Sequence, residues 1–265
     1  MQESIRQVDA LCEILDARIP NASRNPEIDS LAEGRPRLIV LNRADLADPS
    51  LTKRWMQYYR DQGFAVLDCD ARTGKGTDAF VPAVHAVMED KIESWLKKGQ
   101  TGRKVRVMVA GIPNVGKSTF INHVARRKAA AAGDKPGVTR GKQWISVDTG
   151  LELLDTPGIL WPKFEDPVVG ELLAVTNAIK AEVVDREALG ARFLMRLCTL
   201  YPDAVRERYR IEAEPGENGY DLLAKAAQKR GFLVARGEFD LERMANTLLN
   251  EYHSGKLGRL TLEEP

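Results

Sequence analysis

One run of nine residues constrains this chain more than any other: Gly111-Ile112-Pro113-Asn114-Val115-Gly116-Lys117-Ser118-Thr119, a match to G-x4-G-K-[ST]. It follows the β-branched run Val105-Arg106-Val107-Met108-Val109 and leads into a stretch with Phe120, Ile121 and Val124 at helical spacing. Strand, glycine-bearing loop and helix in that order make a phosphate cradle. The glycines let successive backbone N–H groups face one centre, with Asn114, Val115, Gly116 and Thr119 completing the wrap. The helix N-terminus adds its positive end, Lys117 bridges the β- and γ-phosphates, and Ser118 offers Mg2+ a hydroxyl.

Such a loop needs a sheet to carry it, and the rest of the first half supplies one. Residues 10–15, 37–41, 64–67 and 151–154 read as further strands, with 143–147 paired to the last of them as a hairpin. Residues 51–61 and 77–98 carry helical spacing. The alternation predicts an α/β fold, a mostly parallel sheet covered on both faces. After about Ala181 the strand signals stop. Leu189, Phe193 and Leu197, then Leu222, Leu223, Ala226 and Ala227, then Leu241, Met244, Leu248 and Tyr252 make three apolar helical stripes, the last capped by Asp240. The expected organisation is a nucleotide-binding domain over 1–181, an all-helical domain over 182–254 and a tail over 255–265.

Composition narrows the class. No run of about 18 apolar residues exists, so no membrane span is expected, and residues 1–4 do not open a secretory leader. Cys12, Cys69 and Cys198 are far apart and form no CxxC, which fits reduced, buried thiols rather than a zinc site or a disulfide framework. The net charge of +1 hides an asymmetry: twelve Lys and Arg lie between Lys97 and Ile145, where Asp134 is the only acid. Such a zone, expected to surround the phosphate loop, suits polyanions, nucleotide first and then RNA. It equally suits a solvated surface whose counter-charges come from elsewhere in the fold.

Two segments extend the phosphate site. Apolar residues 151–154 run into Asp155-Thr156-Pro157-Gly158, thirty-seven positions after Ser118. There Asp155 can hold Mg2+ through water, and the N–H of Gly158 can sense a γ-phosphate. In Pro136-Gly137-Val138-Thr139-Arg140, Thr139 offers a second hydroxyl that closes on Mg2+ and the γ-phosphate, so Lys117, Thr139 and Gly158 are the candidates to act on the transferred group. The base is read elsewhere. Residues 38–41 lead into Asn42-Arg43-Ala44-Asp45. The Asp45 carboxylate can accept from both the ring N–H and the exocyclic amine of guanine, a donor pair that adenine lacks. Asn42 can tether the loop, and the stem of Arg43 can lie over the base plane. Asp70-Ala71-Arg72-Thr73-Gly74-Lys75-Gly76 resembles a Ser-Ala-x4-Gly loop whose Ala N–H meets the guanine oxygen, with Asp70 in the place of Ser.

A base-reading motif of this kind ordinarily follows Asp-x-x-Gly; here it comes before the phosphate loop. The order NRAD, DAR, GIPNVGKS, PGVTR, DTPG resembles the circularly permuted GTPases, and among them the ribosome biogenesis GTPase A family and its mitochondrial counterparts. Leu15-Asp16-Ala17-Arg18-Ile19-Pro20, the run through Ile159-Leu160-Trp161-Pro162, and Gly255-Lys256-Leu257-Gly258 are similar as well, so the resemblance covers nearly the whole chain. It implies a P-loop GTPase fold in permuted order with a small helical domain that contacts large-subunit ribosomal RNA. It also implies a monomer that cycles between GTP and GDP in the cytoplasm, or in the mitochondrial matrix for an organellar member. The family carries a basic stretch with a Trp-x-Pro-Gly-His-Met-type motif, which would lie just ahead of Met1.

The family also places a hydrophobic residue after Asp-x-x-Gly. Ile159 cannot orient an attacking water, so slow intrinsic hydrolysis is expected, raised by the ribosome. GTPases activated by K+ resemble this chain at Asn114, whose amide could join phosphate oxygens in holding that ion. His85, His123 and His253 read as structural, and Arg126, Arg127 and Lys128 as candidate RNA phosphate contacts. The Asp-x-x-Gly loop runs through Trp161 and a helix near 168–180 into the helical domain, so a γ-phosphate-dependent shift could reorient that domain. Two other readings stay open on the residues alone: an RNA-binding scaffold that uses nucleotide for rigidity, and a P-loop ATPase or kinase in which NRAD is coincidence.

Overall fold

The structure is a computed structural model and describes residues 5–32, 34–132, 143–147, 150–158, 160, 166–179, 185–234 and 237–265. The chain divides into two compact units, residues 1–163 with 263–265, and residues 164–262.

The first unit is built on a six-stranded sheet. Its strands are β1 (Ala10–Asp16), β2 (Arg37–Asn42), β3 (Ala65–Cys69), β4 (Val105–Ala110), β5 (Gln143–Ser146) and β6 (Leu151–Asp155), in the order β3-β2-β1-β4-β6-β5. Every pairing is parallel except β5 with β6, the expected hairpin. Its helices are α1 (Glu27–Ala32), α2 (Pro49–Asp61), α3 (Phe80–Val87), α4 (Glu89–Lys97) and α5 (Lys117–Ala132). All seven residues of β1 are buried, as a strand covered on both faces requires. On one face Leu15, Ile39 and Leu41 pack against Trp55 and Tyr59 of α2, while Leu11 and Met108 meet Ile28 and Ala32 of α1. Elsewhere Phe80 of α3 meets Phe120 of α5 edge to face, with centroids 5.1 Å apart.

The strand order locates the site. From β1 the chain moves to β2 and β3 on one side; from β4 it moves to β6 and β5 on the other. The central neighbours β1 and β4 therefore send their connections in opposite directions, which opens a crevice beyond their carboxyl ends. Asp16, Asn42, Cys69, Ala110 and Asp155 end the five parallel strands along this one edge.

The second unit is helical: α6 (Pro167–Val175), α7 (Arg186–Leu200), α8 (Pro202–Tyr209), α9 (Gly219–Arg230) and α10 (Leu241–His253). Asp166, Asp185, Asn218 and Asp240 each accept backbone N–H bonds at a helix start. Gly190 lets α7 approach α10, since a Cβ there would lie 2.4 Å from Ala245 Cβ. Two expectations change. The sequence boundary at 181/182 falls within this unit, which begins at residue 164 and includes α6, packed with α7. Residues 255–265 are no loose tail: Leu257, Leu260 and Leu262 are buried, and the Tyr201 hydroxyl donates to Thr261 O at 2.8 Å. The final residues return to the first unit, where Glu263 accepts the N–H of Asn21 at 2.9 Å and Trp55 Nε1 donates to Glu263 O at 3.1 Å.

Among the described residues no helix is long and apolar enough to cross a membrane. Cys12 and Cys69 are buried and unbridged, and burial pushes both thiols well up, so neither supplies a reactive thiolate near neutrality.

Candidate nucleotide-binding site

The phosphate loop leaves β4 at Ala110. Gly111 takes φ +150° and Gly116 φ +100°, and a Cβ would lie 2.5 Å from Ile14 O at the first and 2.4 Å from Asn42 Nδ2 at the second. Both glycines are thus needed for close approach as well as for backbone freedom. Asn114 itself adopts φ +57°, a conformation that asparagine tolerates better than most residues. Val115 is buried beneath the loop, and Ser118 and Thr119 open the helix α5.

Lys117 is buried and donates from Nζ to the carbonyls of Gly111 at 3.0 Å and Ile112 at 2.8 Å. Burial lowers its pKa to about 8, against the opposing pull of Asp155. The neighbouring Asp155 carboxyl is raised by burial, which outweighs Lys117 and the bond from Ser118. Both groups are therefore held in an environment that penalises charge, and a polyphosphate with its counter-ion would relieve both. Ser118 Oγ lies 3.4 Å from Asp155 Oδ2, so two hard oxygen donors from separate loops converge, as Mg2+ requires. Gly158 lies against the phosphate loop: a Cβ there would be 2.7 Å from Pro113 Cα and 2.9 Å from Lys117 Nζ. Thr139, the other expected Mg2+ hydroxyl, lies outside the described residues, as do Ile159 and Trp161.

The loops expected to read the base meet the phosphate loop through Asn42. Its Nδ2 donates to Val115 O at 2.7 Å and its Oδ1 accepts the N–H of Ala71 at 2.9 Å, so one buried side chain joins three loops. The N–H of Ala71, expected to face a guanine oxygen, is here spent on Asn42. Asp70 is also turned away from a base-contacting role. Its carboxylate accepts the N–H of Arg72 at 2.9 Å and the Thr73 hydroxyl at 2.6 Å, so it shapes the 70–76 loop from within. Gly74 of that loop presses on His123, whose ring would lie 2.2 Å from an added Cβ. His123 thus packs against the 70–76 loop. His253 Nε2 is 2.6 Å from Val175 O in the helical unit. Asp45 lies 3.7 Å from Arg72, a largely exposed partner that leaves at little cost.

Sequence reasoning missed the support beneath Arg43. Asp16, at the end of β1, is buried and takes Arg18 Nε and NH2 at 2.9 and 2.8 Å, with Arg43 NH1 3.4 Å away. Burial pushes the Asp16 carboxyl up, but the Arg18 charge and bonds, together with Arg43, hold it below the ordinary range. Arg43, at φ +61°, donates in turn to Asn114 O at 2.5 Å. The run Asp16-Ala17-Arg18 is visible as a family match, but only the fold shows what it holds.

The basic zone is corrected. Residues 97–106 do not surround the phosphate loop; they lie at the opposite end of β4, with Arg106 roughly 17 Å of strand from Gly111. Several are paired with acids from other elements: Arg103 with Asp9, and Lys104 and Arg106 with Glu152. The side chains of Arg126, Arg127 and Lys128 and all of 133–142 lie outside the described residues.

Comparison with known proteins agrees with this arrangement. A family profile described as 50S ribosome-binding GTPase matches residues 106–200. Ribosome biogenesis GTPase A of Priestia megaterium is 42% identical over 264 residues, which is 99% of this chain and 91% of that protein. The protein of the same name from Thermotoga maritima is 32% identical over 266 residues, 100% of this chain and 89% of its own length. Among solved structures, GDP-bound YlqF matches with a TM-score of 0.73 at 25% identity, covering 100% of this chain and 98% of that one. GNP-bound YlqF from T. maritima matches with a TM-score of 0.72 at 26% identity, covering 100% and 96%. A circularly permuted P-loop GTPase fold, its Asn-Arg-Ala-Asp loop tied by Asn42 to a phosphate loop that follows it in the chain, and relatives of this identity along almost its whole length make the chain a member of the ribosome biogenesis GTPase A family.

Proposed function

We propose that the protein is a slow GTP-hydrolysing switch that binds the large ribosomal subunit or its precursor and assists a late step of assembly. The supporting observation is the contact of Gly158 with Pro113 and Lys117. A γ-phosphate held by Lys117 must adjoin the Asp-x-x-Gly loop, and the chain enters the helical unit at residue 164, six positions after Gly158. A change in that loop has a short covalent path to the second unit. Names of the relatives support the ribosomal context, and a cytoplasmic setting is part of the same proposal.

In this reading Asp45 selects guanine, Lys117 and the loop N–H groups hold the phosphates, and Ser118, Asp155 and Thr139 hold Mg2+. The metal supplies positive charge to the phosphoryl oxygens. Asn114 is the K+ ligand: Arg43 fixes its carbonyl while its side chain stays exposed to solvent. Ile159 cannot position water, so the free chain should turn over slowly until a partner completes the site. The domain over 182–254, with the Arg126-Arg127-Lys128 run, is proposed to meet the ribosome, and the free protein to be a monomer.

Pelleting with purified large subunits, in GDP and in a non-hydrolysable GTP analogue, tests the switch. Retention should be higher with the analogue and fall as salt rises, and added subunits should speed hydrolysis in KCl more than in NaCl. Equal retention in both states, with no acceleration in either salt, would overturn it.

A further inference from the structure

At the end of the sheet remote from the nucleotide loops, Arg6, Arg103, Lys104 and Arg106 line a cavity of about 500 Å3 together with Asp9 and Glu152. Cations outnumber carboxylates by four to two among these lining residues. The cavity is pre-organised rather than a loose cluster of side chains. Arg103 NH2 lies 3.2 Å from Asp9 Oδ1, and its guanidinium stacks 4.0 Å from the centre of the Trp95 ring. Lys104 Nζ donates to Glu152 Oε1 at 3.0 Å and to Ser146 Oγ at 3.2 Å. Arg106 Nε lies 3.3 Å from Glu152 Oε2, with its guanidinium 5.1 Å from the centre of the Trp144 ring. Asp9 is anchored by the backbone N–H of Arg106 at 3.1 Å.

Two features together point to one ligand chemistry. A guanidinium carries five N–H donors in a fixed fork, so a single carboxylate contact leaves donors that can take a second, bidentate anion such as a phosphate. Trp144, on the edge strand β5, is 36% exposed and lies beside Arg106. An exposed indole next to a row of cations presents a stacking face for an unpaired base whose phosphate the cations hold. An acidic protein segment would use the cations and leave the indole idle.

We propose that this cavity is a second RNA site, which takes a phosphodiester segment of single-stranded RNA with a base against Trp144. It rests on the reading that RNA is among the partners, and it lies away from the nucleotide end. The site gives the sheet two working ends: guanine nucleotide at one and RNA at the other.

The test uses the full chain saturated with GDP, so that the nucleotide loops are occupied. A fluorescein-labelled oligoadenylate is titrated by anisotropy at several KCl concentrations. Arg103→Gln with Arg106→Gln should weaken binding about tenfold and flatten the slope of log affinity against log salt by roughly 1.4, two single-strand contacts at about 0.7 each. Trp144→Ala should weaken binding about tenfold by itself, while Arg103→Lys with Arg106→Lys should keep the wild-type slope. GDP affinity should be unchanged throughout. If the double Gln variant does not fold, Trp144→Ala, an exposed edge position, carries the test alone. Wild-type affinity and slope in these variants would overturn the site while leaving the ribosomal reading intact. Displacement by oligoglutamate as effective as by unlabelled RNA would overturn it in favour of an acidic protein partner. An absence of RNA binding by the wild-type chain in any nucleotide state would remove this site and weigh against the ribosomal reading as well.

Discussion

At the carboxyl ends of the strands Lys117 is buried and gripped by two backbone carbonyls, whereas at the amino ends Lys104 and Arg106 reach solvent and share the one carboxylate of Glu152. Positive charge is present at both ends of the same sheet, but it is held differently. Burial makes charge costly at Lys117, a penalty that a phosphate in the loop would relieve. The exposed cations already have partial satisfaction, so an anion there gains through screening, counter-ion release and fork geometry, in amounts that salt erodes. Charge counted along the sequence cannot separate these cases; burial and partners can.

The largest expected effect falls at the nucleotide end. In the proposed reading Asp45→Asn removes the acceptor for two guanine N–H groups, and charge-assisted bonds of this kind are worth about 1.5–3 kcal/mol each. GTP affinity should fall roughly 100-fold or more, while xanthosine triphosphate, whose ring offers an acceptor where guanine offers a donor, should gain. Fluorescence titration of both nucleotides checks this, and unchanged GTP binding would end the assignment. The amino-end site should be indifferent to the substitution, and an equal loss of RNA binding would mean the two ends are not separate.

What was legible in the sequence divides along the same line. The phosphate loop, Asp155-Thr156-Pro157-Gly158 and Asn42 to Asp45 are contiguous runs whose chemistry resides in the residues themselves, so each could be placed before any fold was known. The sheet followed from alternation, because β-branched strands and amphipathic helices bury different periods. Long-range pairs stayed hidden. Glu152 meets Lys104 and Arg106 across more than forty positions, and Asp9 meets Arg103 across ninety-four, so the basic run looked unpaired and looked close to the phosphate loop. Asp16 gave no sign that it steadies Arg43. Helix α8 is only eight residues long and begins directly after α7 at Pro202, too short for its period to show. Leu257, Leu260 and Leu262 match neither the helical nor the strand period, so the segment read as a tail although it is packed.

A middle-sized effect is expected between the two ends. Glu13 of β1, like Glu152, has two cations for neighbours: Arg37 at 3.3 Å and Arg24 at 4.0 Å. Yet burial raises its pKa to about 7 despite the N–H of Asn25 and both arginines, and Asp29 competes for the same cations at 2.5 and 2.6 Å. With the folded pKa above the unfolded one, the stabilising contribution is complete below about pH 4.5 and is lost as pH rises through 7. The wild-type chain should therefore lose up to about 3 kcal/mol between pH 5 and 8 relative to Glu13→Gln, whose side chain does not titrate. Denaturant melts of both proteins across that range measure the difference. Parallel stability curves would show that the arginines, not burial, set this carboxyl, and would erase the contrast with Glu152.

The smallest effect belongs to Glu152 itself, where the contrast is sharpest. Bonds from Lys104, and then from Arg106, hold its carboxyl below the ordinary range against a modest burial penalty. Its folded pKa is depressed, so the stability it contributes is present above the unfolded value of about 4.5 and fades as pH falls below it. That contribution is small, since exposed ion pairs are worth no more than about 1 kcal/mol. Glu152→Gln should accordingly leave the thermal midpoint within a few degrees at neutral pH, and the wild-type advantage should vanish in acid. The same substitution removes one of the two carboxylates from the amino-end cavity and releases both cations to a phosphate. Oligoadenylate affinity should rise a few-fold at low salt, and the gain should shrink as KCl approaches the concentrations that screen exposed charges. An Asp45→Asn change leaves this end alone, so the two substitutions together should give the sum of their separate effects on nucleotide and on RNA. A fall in RNA affinity on Glu152→Gln would mean that the carboxylate orders the cations for their ligand rather than competing with it. The amino end would then resemble the nucleotide end, with positioning outweighing charge.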